Sequence, residues 1–191
     1  MDKLFFSEEH EMLKNMVRDF AENEVEPLAR EMDEKETIPK DLIDKMGKLG
    51  IMGIPVPEKY GGAGMDTVAY ATAIMELAKV DASVAITVAA HTSLGTMPIV
   101  LAGSEEQKMK YVPDLSSGKV LGSFGLTEPE AGSDAGSTKT TAVKNGDEYV
   151  VNGSKIFITN SGISGYLNLT AQIIEDEKLI GVGAFITETN N

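Results

Sequence analysis

The apolar spacing of this chain changes character once, near Pro113, and that change limits the fold more than any other feature. Before it, apolar residues recur at the 3.6-residue period of helices. After it they fall in short runs split by Asn145-Gly146 and Asn152-Gly153, both tight-turn signals. Helices followed by antiparallel strands imply an α+β arrangement, or a helical domain followed by a β domain. We expect an all-helical domain at 1–117 and a β domain at 118–191, with the boundary near Ser116-Ser117-Gly118.

Within the helical part, Ser7 is a candidate N-cap, with Glu8 and Glu9 at the positive end of the dipole. Met12, Leu13, Met16, Val17 and Phe20 then mark one face. Pro27 should kink or end this helix, and Pro39 should open the next, which carries Leu42, Ile43, Met46 and Leu49. Gly50 suits a left-handed stop. Residues 51–60, with two prolines, read as extended. Asp66 or Thr67 can cap a helix to about Val80, and 82–102 predicts a helix apolar on nearly every side. Ser104 and Gln107 fit a capping box. Strands are predicted at 120–126, 138–143, 149–151, 156–159, 167–174 and 179–186.

Composition removes several functions. The net charge is −13, and half of the acidic residues lie in the first 60 positions, so nucleic acid is not an expected partner. The longest strongly apolar stretch, 84–90, is too short for a bilayer, which needs about 20 residues. The start MDKLFFSEEH turns acidic too soon for a signal peptide. There is no cysteine, hence no disulfide or thiol chemistry, and no metal site is expected.

The chemistry concentrates in Phe124-Gly125-Leu126-Thr127-Glu128-Pro129-Glu130-Ala131-Gly132-Ser133-Asp134. A predicted strand runs into a loop of small residues and hydroxyls. Gly132 lets backbone approach a ligand, and Ser133 can donate to a phosphate oxygen. Thr127 can bond a planar heterocycle beside an apolar wall of Phe124 and Leu126. A polar loop whose Ser and Asp cap their own turn fits the same residues. The run from Gly125 to Ser137 resembles the signature of the acyl-CoA dehydrogenases. The stretch Asn152-Gly153-Ser154-Lys155-Ile156-Phe157-Ile158-Thr159-Asn160 is similar to that family's second flavin-contacting strand, and 91–110 to its preceding helical segment.

The resemblance implies an FAD enzyme of fatty acid metabolism, with a barrel-like middle domain, that oxidises a short- or medium-chain acyl-CoA to the 2-enoyl-CoA. It implies FAD contacts at Phe124, Gly125, Leu126, Thr127, Gly132, Ser133, Phe157, Ile158 and Thr159, with Thr127 at the pyrimidine edge and Thr159 near N5. Ser133, Ile86, Thr87 and Ala90 would contact the acyl-CoA, although Ile86, Thr87 and Ala90 also read as plain core, Ile86 most of all. Residues 81–95 hold no Arg or Lys, which disfavours a dicarboxylic acyl group. Electron-transfer flavoprotein is the implied acceptor, and the implied setting is a cytoplasmic homotetramer (mitochondrial matrix in a eukaryote). His91 reads as a core residue and Lys155 as a solvated one. Because the family's catalytic glutamate lies in a carboxy-terminal helical bundle, no base is named here and residues 1–191 alone are expected to be inactive. A noncatalytic flavin- or CoA-binding module, and a structural protein without ligand, are the other readings.

Overall fold

The structure is a computed structural model that describes residues 6–189; Leu4-Phe5 of the apolar start and the terminal Asn190-Asn191 lie outside them. The chain divides into two compact units, Met1–Val120 and Leu121–Asn191.

In the helical unit, α1 (Glu8–Phe20) begins at Ser7, whose hydroxyl accepts from the His10 N–H while the His10 ring accepts from the Ser7 N–H. Its buried face is Leu13, Val17 and Phe20; Met12 points to solvent, 71% exposed. Pro27 does not end the helix. Residues Ala21–Val25 widen to a π turn in which Glu26 N–H bonds Ala21 O, and α2 (Glu26–Lys35) continues the run with Pro27, which has no N–H to give the ladder, directly after the widened turn. Pro39 caps α3 (Lys40–Lys48), and Gly50 stops it at φ +76°. Residues 51–60 are not extended. They form two 3₁₀ turns, Ile51–Gly53 and Glu58–Tyr60, which bury Ile51, Met52, Ile54, Val56 and Tyr60 in a compact segment that no strand-like alternation describes.

Asp66 caps α4 (Thr67–Ala78) through the Ala69 N–H at 2.8 Å. Buried Glu76 of α4 pairs with Arg18 of α1 at 3.1 Å and with Lys79 at 2.7 Å. Next, α5 (Ala82–Ala90), a π segment (His91–Thr96) and α6 (Met97–Ala102) form one helical run. At 21 residues it has the length and composition of a membrane span, which the shorter stretch 84–90 does not reveal, but Val84, Val88, His91, Thr92 and Ile99 are buried within this unit. Burial is one-sided, since Ile86, Leu94 and Leu101 are exposed. The capping box of Ser104 and Gln107 opens α7 (Glu105–Ser116).

The second unit is a mixed five-stranded sheet: β1 (Gly122–Gly125), β2 (Thr141–Asn145), β3 (Glu148–Asn152), β4 (Tyr166–Glu175) and β5 (Lys178–Glu188). The hairpins β2–β3 and β4–β5 are antiparallel, as expected. β1 and β2 instead pair parallel with β4, because the chain reaches β4 by a long connection rather than a hairpin. Since β5 occupies one whole edge of β4, β1 (against 166–169) and β2 (against 172–174) lie in tandem along the other. A small core of Ala142, Leu169 and Ala171 packs with Val151, Leu167 and Phe185. Residues 156–159 are not a strand: Phe157 (φ +59°) and Asn160 (φ +69°) turn the backbone left-handed and break the pleat.

Candidate functional site

The gap between β1 and β2 along β4 is where the chain leaves the sheet, at Leu126, and returns, at Thr141. The loop between is closed at its base by Glu128. This carboxylate is buried and receives five donors: the Lys155 ammonium at 2.7 Å, the Thr138 and Thr140 hydroxyls, and the N–H groups of Lys139 and Thr140. Burial alone would raise its pKa, but Lys155, Thr138, Thr140 and the Lys139 N–H outweigh it and hold the carboxyl well below the usual carboxylate range. The Glu128 and Ala131 backbones bond each other across a turn through Pro129-Glu130, which projects Gly132 and Ser133 outward, both exposed. A Cβ at Gly132 would meet no protein atom within 4 Å, so packing within the chain does not require glycine there.

Lys155 is not the solvated residue that its polar surroundings suggest. Its side chain is 10% exposed and donates to Leu126 O at 3.2 Å, Thr138 Oγ1 at 3.1 Å and Thr170 Oγ1 at 3.3 Å as well as to Glu128. The next residue continues the tie, since Ile156 N–H bonds Thr127 O at 2.9 Å. The segment around Phe124, Gly125, Leu126 and Thr127 therefore runs beside the turn of Phe157, Ile158 and Thr159. Phe157 is 88% exposed in a left-handed conformation that costs a non-glycine residue about 1 kcal/mol or more. An aromatic held outward at that cost, beside a strand end and a loop of exposed Gly132 and Ser133, can receive a planar heterocycle carrying phosphate.

The residues read as acyl contacts lie in the other unit, on α5. Thr87 and Ala90 are buried, whereas Ile86 is 54% exposed and so is not a core residue. His91 is core, with its Nε2 donating to Leu115 O at 3.1 Å. Sequence reasoning missed the Glu128–Lys155 pair, because Glu130 and Asp134 share the loop and no local signal singles out Glu128.

A helical unit followed by a mixed sheet, with the 124–134 and 156–160 segments joined at Ile156 and Thr127, defines an α+β protein. Residues 7–119 match the family model for the acyl-CoA dehydrogenase N-terminal domain, and residues 123–191 match that for the middle domain. The chain belongs to the acyl-CoA dehydrogenase family. It is 52% identical over 184 residues to an acyl-CoA dehydrogenase of Bacillus subtilis, covering 96% of this chain and 48% of that protein. Its fold is similar to the butyryl-CoA dehydrogenase of Megasphaera elsdenii, with TM-score 0.90 and 42% identity over 100% of this chain and 50% of that one. It is likewise similar to an acyl-CoA dehydrogenase of Bacillus anthracis complexed with FAD, with TM-score 0.91 and 40% identity over 100% of this chain and 32% of that one. The chain spans about half the length of the curated relatives it matches.

Proposed function

We propose that this chain carries the flavin-binding surface of an FAD-dependent acyl-CoA dehydrogenase that acts on short- to medium-chain straight acyl thioesters. The observation that carries the reading is the junction of two segments at Ile156 N–H and Thr127 O, with Phe157 held exposed beside it. Phe124, Gly125, Leu126 and Thr127 supply one side of the flavin site, and Phe157, Ile158 and Thr159 the other. The Thr127 hydroxyl meets the polar edge of the ring, while Gly132 and Ser133 meet the pyrophosphate. FAD, when bound, supplies a hydride acceptor for the β-carbon of the thioester. Ser133 also contacts the acyl-CoA, and Thr87, Ala90 and Ile86 border the acyl chain.

The α-proton must go to a base that is accessible and not already saturated. Glu128 meets neither condition, being buried and held charged by five donors. No described carboxylate is given that role. The acyl preference rests on α5, where residues 81–95 contain no Arg or Lys to pair a distal carboxylate. The family resemblance adds a cytoplasmic homotetramer that passes electrons to electron-transfer flavoprotein.

Anaerobic mixing of the complete protein with butyryl-, octanoyl- and glutaryl-CoA tests the proposal through loss of flavin absorbance. Butyryl- or octanoyl-CoA should bleach the flavin faster than glutaryl-CoA. Faster bleaching by glutaryl-CoA would overturn the acyl assignment, and no bleaching by any thioester would overturn the activity.

A further inference from the structure

We infer that Glu128 and Lys155 are positioning residues: a buried ionic clasp that fixes the 126–137 loop and the Phe157 turn as one preformed surface and thereby sets flavin affinity. The inference rests on the flavin-site reading above. Four observations support it. Glu128 stands near the start of the loop, and the donors to its carboxylate come from the far end, at Thr138, Lys139 and Thr140, and from Lys155 on the second segment. Lys155 in turn holds Leu126 O and Thr170 Oγ1, so the clasp is anchored to β4 at the gap between β1 and β2.

Close approach around the clasp is built into the backbone. A Cβ at Gly125 would lie 3.1 Å from Lys155 Cγ, and one at Gly153 would lie 2.3 Å from Thr140 Oγ1. At Gly153 any side chain would collide with Thr140, whereas at Gly125 one would press on the Lys155 stem. Finally, the tie does not stop at the pair, because Ile156, adjacent to Lys155, bonds Thr127 directly. A buried ion pair is a poor source of stability, since desolvation consumes most of the attraction and an apolar filling often does as well. What it provides here is geometry: five donors, four from residues 138–140 and one from Lys155, converge on one carboxylate. A site held in this way loses little freedom when its ligand binds.

Three variants of the complete protein separate positioning from general destabilisation. Lys155→Met removes the charge and keeps the stem, Glu128→Gln keeps the shape, and Glu76→Gln weakens the ion pairs of an equally buried carboxylate, with more exposed cations, in the helical unit. Two readouts are taken: FAD affinity by titration, and backbone amide exchange without FAD. Lys155→Met should raise exchange in 126–137 and 156–160 together, leave β4–β5 protected, and weaken FAD by about tenfold or more. Glu128→Gln should move both readouts the same way by less, and it carries the comparison if Lys155→Met does not fold. Glu76→Gln should lower thermal stability with FAD affinity unchanged within about twofold. Unchanged exchange in both clasp variants overturns the clasp. Raised exchange with unchanged FAD affinity, or FAD loss in Glu76→Gln equal to that in Lys155→Met, overturns its control of affinity. An unaltered protein that takes up no FAD, yet shows coupled loosening in Lys155→Met, supports the clasp and overturns the flavin reading instead.

Discussion

His91 and Glu128 are both buried, and their surroundings settle their ionisation in opposite ways. Glu128 keeps its charge because converging donors outweigh its burial. His91 loses its charge: burial, only partly offset by the carbonyls of Leu115 and Met52, pushes its pKa down from 6.5 to about 4. Between those values the unfolded chain binds a proton that the folded chain does not, so stability is full above pH 6.5 and falls as the pH drops toward 4. Denaturant unfolding at about pH 7 and pH 5 should show a loss of about 2 kcal/mol from this residue. His91→Gln should remove that part of the loss; equal losses in both proteins would contradict it. That His91 is core was legible, because a lone histidine in an apolar helix has few other fates. The burial of Lys155 was not. Asn152, Gly153 and Ser154 before it read as solvated, and its partner lies 27 residues upstream, joined only by the folded loop.

Turns set the limits at the scale of elements. Asn145-Gly146 announces the β2–β3 hairpin, and Gly146 adopts φ +64° there. The β4–β5 hairpin carries no such sign, since Asp176 (φ +48°) and Glu177 (φ +61°) make its left-handed turn without glycine. Glu177→Gly should relieve about 1 kcal/mol of backbone strain, partly offset by the greater freedom of glycine in the unfolded chain. A net gain of about 0.5 kcal/mol is expected, read as a higher denaturant midpoint of the β unit. A lower midpoint would show that the Glu177 side chain contributes more than its backbone costs. The same physics explains the misread segment at 156–159. Ile-Phe-Ile-Thr has the composition of a strand, but left-handed backbone at Phe157 and Asn160 and a single bond from Ile156 to Thr127 make it an exposed turn. At 51–60, compact 3₁₀ turns rather than alternation bury the apolar residues.

Over the whole molecule, the order of helices before strands was legible because the apolar period is uniform within each unit. The parallel pairings were not, since β1 and β4 meet across more than 40 residues of sequence and no local signal records that register. The candidate site follows the same division. Its two segments were legible as motifs, but their junction and its charged clasp exist only once the loop closes on β4. The central claim is that this junction is a flavin site, and the flavin content of the complete protein, purified without denaturation, tests it most directly. The account predicts a flavin absorbance band from stoichiometric FAD, restored by added FAD after the cofactor has been stripped. A protein that stays colourless with FAD and takes up a different nucleotide would contradict it.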